Sequence, residues 1–130
     1  KMKRCNWELL PPGTKAIDFL NEEIQRKSTK KVNLYDEDRL DYIQSFKVEE
    51  TYAGINGFLG YIAFLIGNYC VLESAVYGNA TYIIPRNNWK VLSQMTKKQL
   101  TDENLVVKKI IHTANWRNEF NIFIKKIVSN

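Results

Sequence analysis

The stretch Thr51-Tyr-Ala-Gly-Ile-Asn-Gly-Phe-Leu-Gly-Tyr-Ile-Ala-Phe-Leu-Ile-Gly-Asn-Tyr-Cys-Val-Leu72 holds no charged residue over 22 positions. Its reading decides the fold. It is long enough to test as a membrane-spanning helix. Glycines at 54, 57, 60 and 67 and asparagines at 56 and 68 interrupt it, and the rest is rich in β-branched and aromatic residues, which suit strands. We therefore read sheet and not a membrane span. Gly67-Asn68 is a turn signal between two apolar runs. The first run predicts a strand over 60–66 and the second an antiparallel partner over 69–74. Gly78-Asn79 marks the next turn, a third strand follows over 80–84, and Pro85 ends it. This makes a three-stranded meander. Gly54, Gly57 and Gly60 read as bends on the way into the first strand, since their spacing by three fits no dinucleotide fingerprint.

Working outward, residues 1–13 are basic and turn through Pro11-Pro12-Gly13, which reads as an arm or linker that packs its Trp7 onto a domain over 14–130. Thr14 is a candidate N-cap. Ala16, Ile17, Phe19, Leu20 and Ile24 then repeat at helical spacing, predicting a helix over 14–27. Leu40, Ile43 and Phe46 support a short second helix over 37–46, although a strand competes there. Asn87 or Asn88 could cap a helix carrying Trp89, Val91, Leu92 and Met95, and Leu105 to Ile111 reads as a short strand. The last helix, over 115–128, is the clearest: Trp116, Phe120, Phe123, Ile124 and Ile127 form one stripe. The fold class expected is α+β, a small antiparallel meander packed against helices.

The chain has 130 residues, 45% hydrophobic and 25% charged, near the average for a globular domain. That composition excludes a disordered tail, a collagen-like repeat and a disulfide-dense mini-protein. A chain of this length buries roughly two-thirds of its unfolded surface, enough for a core without staples. The net charge is +5 and unevenly placed. Residues 1–31 hold eight basic and four acidic side chains, residues 32–89 three and seven, and residues 90–130 eight and three. Basic ends around an acidic middle suit DNA, RNA or an acidic partner, and equally describe an ordinary solvated surface. Cys5 and Cys70 have no metal-type spacing, which points to a reduced, cytoplasmic setting with Cys70 as a small core residue. No signal-peptide pattern opens the chain, and its first residue is Lys1, so we expect it to be part of a larger protein.

Residues with chemistry are few. His112 is the single histidine, and no paired Cys-x-x-Cys, phosphate-cradling glycine loop or Gly-x-Ser-x-Gly elbow occurs. Glu73 is the only acid between Glu50 and Asp102 and ends a very apolar strand, Cys70-Val71-Leu72-Glu73-Ser74. There it is a metal ligand or general base, or a hydrogen-bonded brace, for instance to the amides of the Tyr77-Gly78-Asn79 turn. His112, at a strand-to-helix corner, is an acid–base group or a cap for backbone groups. Asn79, Tyr82, Trp89 and Trp116 could line a pocket around it, able to stack on and hydrogen-bond a base, or could be a core margin where indole N–H groups find partners.

The order helix, three antiparallel strands, helix, strand resembles the core of the PD-(D/E)XK nuclease fold. That resemblance implies magnesium or manganese held by an acid near the second strand and an acid-x-Lys pair on the next. Glu73 matches the first acid in position. Ala80-Thr81-Tyr82-Ile83-Ile84 supplies neither acid nor lysine, so Asp102 or Glu103 would have to stand in. The stretch from about Gly57 to Ile127 also resembles a module at the C-terminal end of uncharacterised bacterial proteins. The shared pieces are Glu73-x4-Gly78-Asn79-Ala80-x-Tyr82, Asn88-Trp89, Ile110-Ile111-His112 and Trp116. This second resemblance implies a recurring accessory domain and no particular activity.

The expectation is a non-catalytic binding or accessory domain of a bacterial or mobile-element protein. It would contact nucleic acid through Lys90, Lys97, Lys98, Lys108, Lys109 and the basic N-terminal arm, with no cofactor. A divergent metal-dependent nuclease using Glu73 and His112, with Mg or Mn, is the runner-up. A protein-interaction module pairing through a strand edge is the third.

Overall fold

The structure is a computed structural model and describes residues 5–27, 43, 46–56, 60–74, 80–88 and 106–128. Six strands form one sheet in sequential order: β1 (Cys5–Leu9), β2 (Glu50–Asn56), β3 (Tyr61–Ile66), β4 (Tyr69–Ser74), β5 (Ala80–Pro85) and β6 (Lys108–Ile111). Every neighbouring pair is antiparallel. Two helices complete the described fold, α1 (Ala16–Lys27) and α2 (Trp116–Val128). The α+β class holds: the three strands of the expected meander are β3, β4 and β5, the strand read over Leu105–Ile111 is β6, and β1 and β2 extend the sheet at its other edge.

The added strands have simple causes. The segment read as an arm contributes β1, because Asn6-Trp7-Glu8 alternates about the sheet plane and pairs Trp7 with Gly54. Trp7 packs on the domain as expected, but as part of the sheet and not from a linker. Gly54 and Asn56 lie within a regular strand, so the glycines read as bends do not prevent β2. A bare glycine in a strand leaves room for a large cross-strand neighbour, and Trp7 is the residue paired with Gly54.

β3 is buried at all six positions and β4 at five of six, which is why these segments read as continuous apolar runs without alternation. They join through Gly67-Asn68, with Gly67 in the left-handed region at φ 55°. Both helices pack on one face of the sheet. Ala16, Ile17, Leu20 and Ile24 of α1 and Trp116, Phe120 and Ile124 of α2 meet Ile62, Phe64, Val71, Ile83 and Ile110 there. The stripe read for the last helix is the stripe that is buried, with Phe123 and Ile127 half-buried at its margin. Asn115 accepts the first α2 bond, from the Glu119 amide. For α1 the carbonyl of Lys15 accepts from Phe19, so the boundary falls one residue after Thr14. The opposite sheet face carries Tyr61, Ala63, Leu65, Cys70, Leu72 and Ile84, with Trp7, Tyr52, Tyr82 and Val106 half-buried around them.

The helix read over 37–46 lies outside the described residues except for Ile43 and Phe46, which both belong to the helix-side core. The helix read after Asn88 also lies outside them; residues Arg86–Asn88 form a single 3-10 turn. Among the described residues, no helix is long and apolar enough to cross a membrane.

Candidate acid–hydroxyl–imidazole site

The register of the sheet builds the site. One row of directly paired residues crosses all six strands: Glu8, Ala53, Ile62, Glu73, Thr81 and Ile110. Its central members face the helices. Glu73 and Thr81 are therefore cross-strand partners flanked in the row by Ile62 and Ile110, and both are fully buried. His112 follows Ile110 by two positions, just past the end of β6, so the period of a strand returns it to the face that Thr81 occupies. It is half-buried.

Three side chains join there. The Thr81 hydroxyl donates to Glu73 Oε1. Thr81 Oγ1 also lies 2.7 Å from His112 Nε2. A hydroxyl has one proton. Which partner donates in this second contact depends on the tautomer of the imidazole. The imidazole stacks on the Trp116 indole, ring centroids 4.1 Å apart and 31° from parallel. Arg117 lies over the same indole at 5.2 Å. The arrangement ties β4 to β5, and β5 to the first turn of α2. Chemically it is a buried carboxylate that orients an imidazole through a hydroxyl, the logic by which an acid fixes a histidine tautomer.

The structure thus brings Glu73, His112 and Trp116 together. Glu73 is bonded by Thr81, which the sequence reading did not name; the turn at residues 77–79, the partner expected for a brace, lies outside the described residues. Trp116 is 7% exposed and sits among core residues, so its ring is a floor for the imidazole and offers no open face for a base. Tyr82 belongs to the other face of the sheet, beneath Lys109 at 5.5 Å, because adjacent strand residues point opposite ways. The pocket expected from Tyr82 and Trp116 together therefore does not form. Lys108 and Lys109 part for the same reason: Lys108 pairs with Glu119 at 3.2 Å and lies over Phe123, on the helix side. Asn79, Trp89, Lys90, Lys97, Lys98, Asp102 and Glu103 lie outside the described residues.

Thr81 was not singled out by the sequence, where it reads as an ordinary strand former. The available signal was parity. Thr81 shares the inward parity of Ile83 and falls opposite an inward acid once the Gly78-Asn79 turn is placed. Among the described residues, no three His, Cys, Asp or Glu side chains converge as metal ligands would.

Among the described residues, two concavities lie elsewhere. One, of about 450 Å3, sits between residues 9–15 and 48–51. The other, of about 610 Å3, opens beside Tyr69, Arg86 and Val107. Neither reaches Glu73, Thr81 or His112. Arg86 beside the second pairs with Glu49 at 2.7 Å and donates to the Gly67 carbonyl, while the Gly67 amide donates to Glu49. This clasp holds the entry to β2 against the β3–β4 turn and the end of β5. Comparison with protein-family models, curated proteins and solved structures gives no match.

Proposed function

We propose that this chain is a non-catalytic nucleic-acid-binding or accessory domain of a bacterial or mobile-element protein, acting through phosphate contacts. The observation that carries the reading is the charge of the C-terminal described segment. Residues 106–128 hold five cations and one acid, and that acid, Glu119, is engaged by Lys108. Lys109, Arg117, Lys125 and Lys126 are exposed. A surplus of exposed cations on one segment is the footprint of backbone binding. The sequence adds Lys90, Lys97 and Lys98 nearby in the chain.

The metal-dependent nuclease is the weaker reading, because the Glu73 carboxyl is fully buried and bonded to Thr81, remote from any phosphate in solvent. A reduced, cytoplasmic setting belongs to the proposal. It is supported by Cys70, a buried thiol whose proton affinity is pushed up by desolvation and which is therefore inert.

The test is binding of labelled DNA and RNA oligonucleotides, followed by anisotropy. With about four phosphate contacts, affinity falls roughly 100-fold between about 50 mM and 200 mM salt. The double variant K125E/K126E weakens binding across all sequences alike. A flat salt response, or no binding at low salt, removes the proposal. Cleavage with magnesium or manganese that E73Q abolishes would replace it with the nuclease.

A further inference from the structure

Burial, register and the two contacts of the Thr81 hydroxyl together say more about Glu73, Thr81 and His112 than a brace requires. We propose that the three form a single proton relay in which carboxylate and hydroxyl preset the tautomer of His112, so that the charge at this corner of the molecule is switched by pH.

The argument begins with the carboxyl. Glu73 is fully buried between Ile62 and Thr81, where an ionised carboxylate is costly unless bonded and balanced by positive charge. Thr81, itself fully buried, is its cross-strand partner and hands the interaction on to His112 Nε2 at 2.7 Å. A hydroxyl that donates on one side accepts on the other, so the two bonds point the same way, from imidazole to carboxylate. The proton on Nε2 is thereby fixed, and Nδ1 is the nitrogen that titrates. When Nδ1 takes a proton, the imidazolium balances the carboxylate across a single hydroxyl in surroundings of low dielectric. The ends do not titrate independently; they behave as one coupled unit.

The described charged groups around the imidazole are few. β4 contributes Glu73, by way of Thr81. α2 contributes Arg117, which shares the Trp116 indole and opposes a second cation there. On β6, Lys108 is directed to Glu119 and Phe123, and Lys109 to Tyr82 on the other face. The buried acid thus offsets Arg117 and lets the corner hold a second positive charge. That added cation lies in the basic C-terminal segment. Resting here on the phosphate-contact reading, we expect it to make one more phosphate contact as pH falls.

The test uses the whole chain labelled with 15N and follows the His112 ring nitrogens through a pH titration, then oligonucleotide binding at about pH 6 and about pH 8. The relay predicts the Nε2–H tautomer above the midpoint. It also predicts a midpoint that E73Q lowers by about one unit. T81V should weaken the coupling, so that adding E73Q to it moves the midpoint less than E73Q does in the wild type, while T81S keeps the wild-type behaviour. These ring signals also report that each variant is folded, through the shift imposed by Trp116. The salt dependence of binding should be steeper by about one contact at the lower pH.

A neutral ring in the Nδ1–H form, or a midpoint that E73Q leaves in place, overturns the relay. A midpoint that moves as expected, with salt slopes equal at the two pH values, overturns the phosphate gating. Failure to bind any oligonucleotide at either pH overturns the gating together with the phosphate-contact reading, and leaves the relay supported by the titration.

Discussion

Thr81 shows how a single hydroxyl sets the character of a site. A valine of the same shape would be as good a strand former but would take away the hydroxyl that donates to the buried Glu73 carboxyl. The hydroxyl links an acid to an imidazole that the backbone alone would leave unconnected. Glu49 illustrates the opposite regime, an acid at the surface. Its carboxyl lies below its ordinary value of 4.5, first because Arg86 donates a hydrogen bond to it, with the charge of Arg86 and the Gly67 amide adding to this against partial desolvation. A lowered value in the folded state means that the clasp stabilises above about pH 4.5 and is lost as pH falls through the folded value. The pair is exposed, so the effect is small and screened by salt. E49Q should therefore flatten the acid-side decline of the urea midpoint with pH, more visibly at low salt. A decline as steep as wild type would show that the clasp does not contribute.

Among the elements, the β3–β4 hairpin is the most locally determined. Gly67 has φ 55°, and a Cβ built on it meets nothing within 4 Å. Gly67→Ala therefore costs about 1 kcal/mol, from the left-handed backbone alone. Urea unfolding checks this; a loss of several kcal/mol would mean a crowded turn, and no loss a relaxed one. The same locality made this hairpin readable. Two uncharged runs on either side of Gly67-Asn68 leave little else for the chain to do, and the α2 stripe was equally plain because its five apolar residues share one helical face. β1 and β2 were not readable. β1 is an edge strand whose partner is more than 40 positions away in sequence, and nothing local distinguishes it from a basic arm. β2 hid behind Gly54 and Asn56, residues that disfavour strands alone but are tolerated here through their pairing with β1. At the site, Glu73 and His112 stood out by chemical rarity. Their connection did not, since it depends on the register between β4 and β5.

At the scale of the molecule, a meander in chain order places successive acids, hydroxyls and aromatics by parity alone. The consequence is that residues 73 and 112, which no motif relates, meet at one corner, where the sheet hands over to the terminal helix. The helices crowd one face, and that face carries the relay. The charge is arranged differently, with exposed cations gathered in residues 106–128, so that the corner bearing His112 is also the basic end of the described chain. The most direct test of this picture is a double-mutant cycle in urea unfolding with E73Q, H112N and the two combined. Side chains joined through a buried hydroxyl should be non-additive by about 0.5–3 kcal/mol. Additivity within about 0.3 kcal/mol would show that the acid and the imidazole do not communicate.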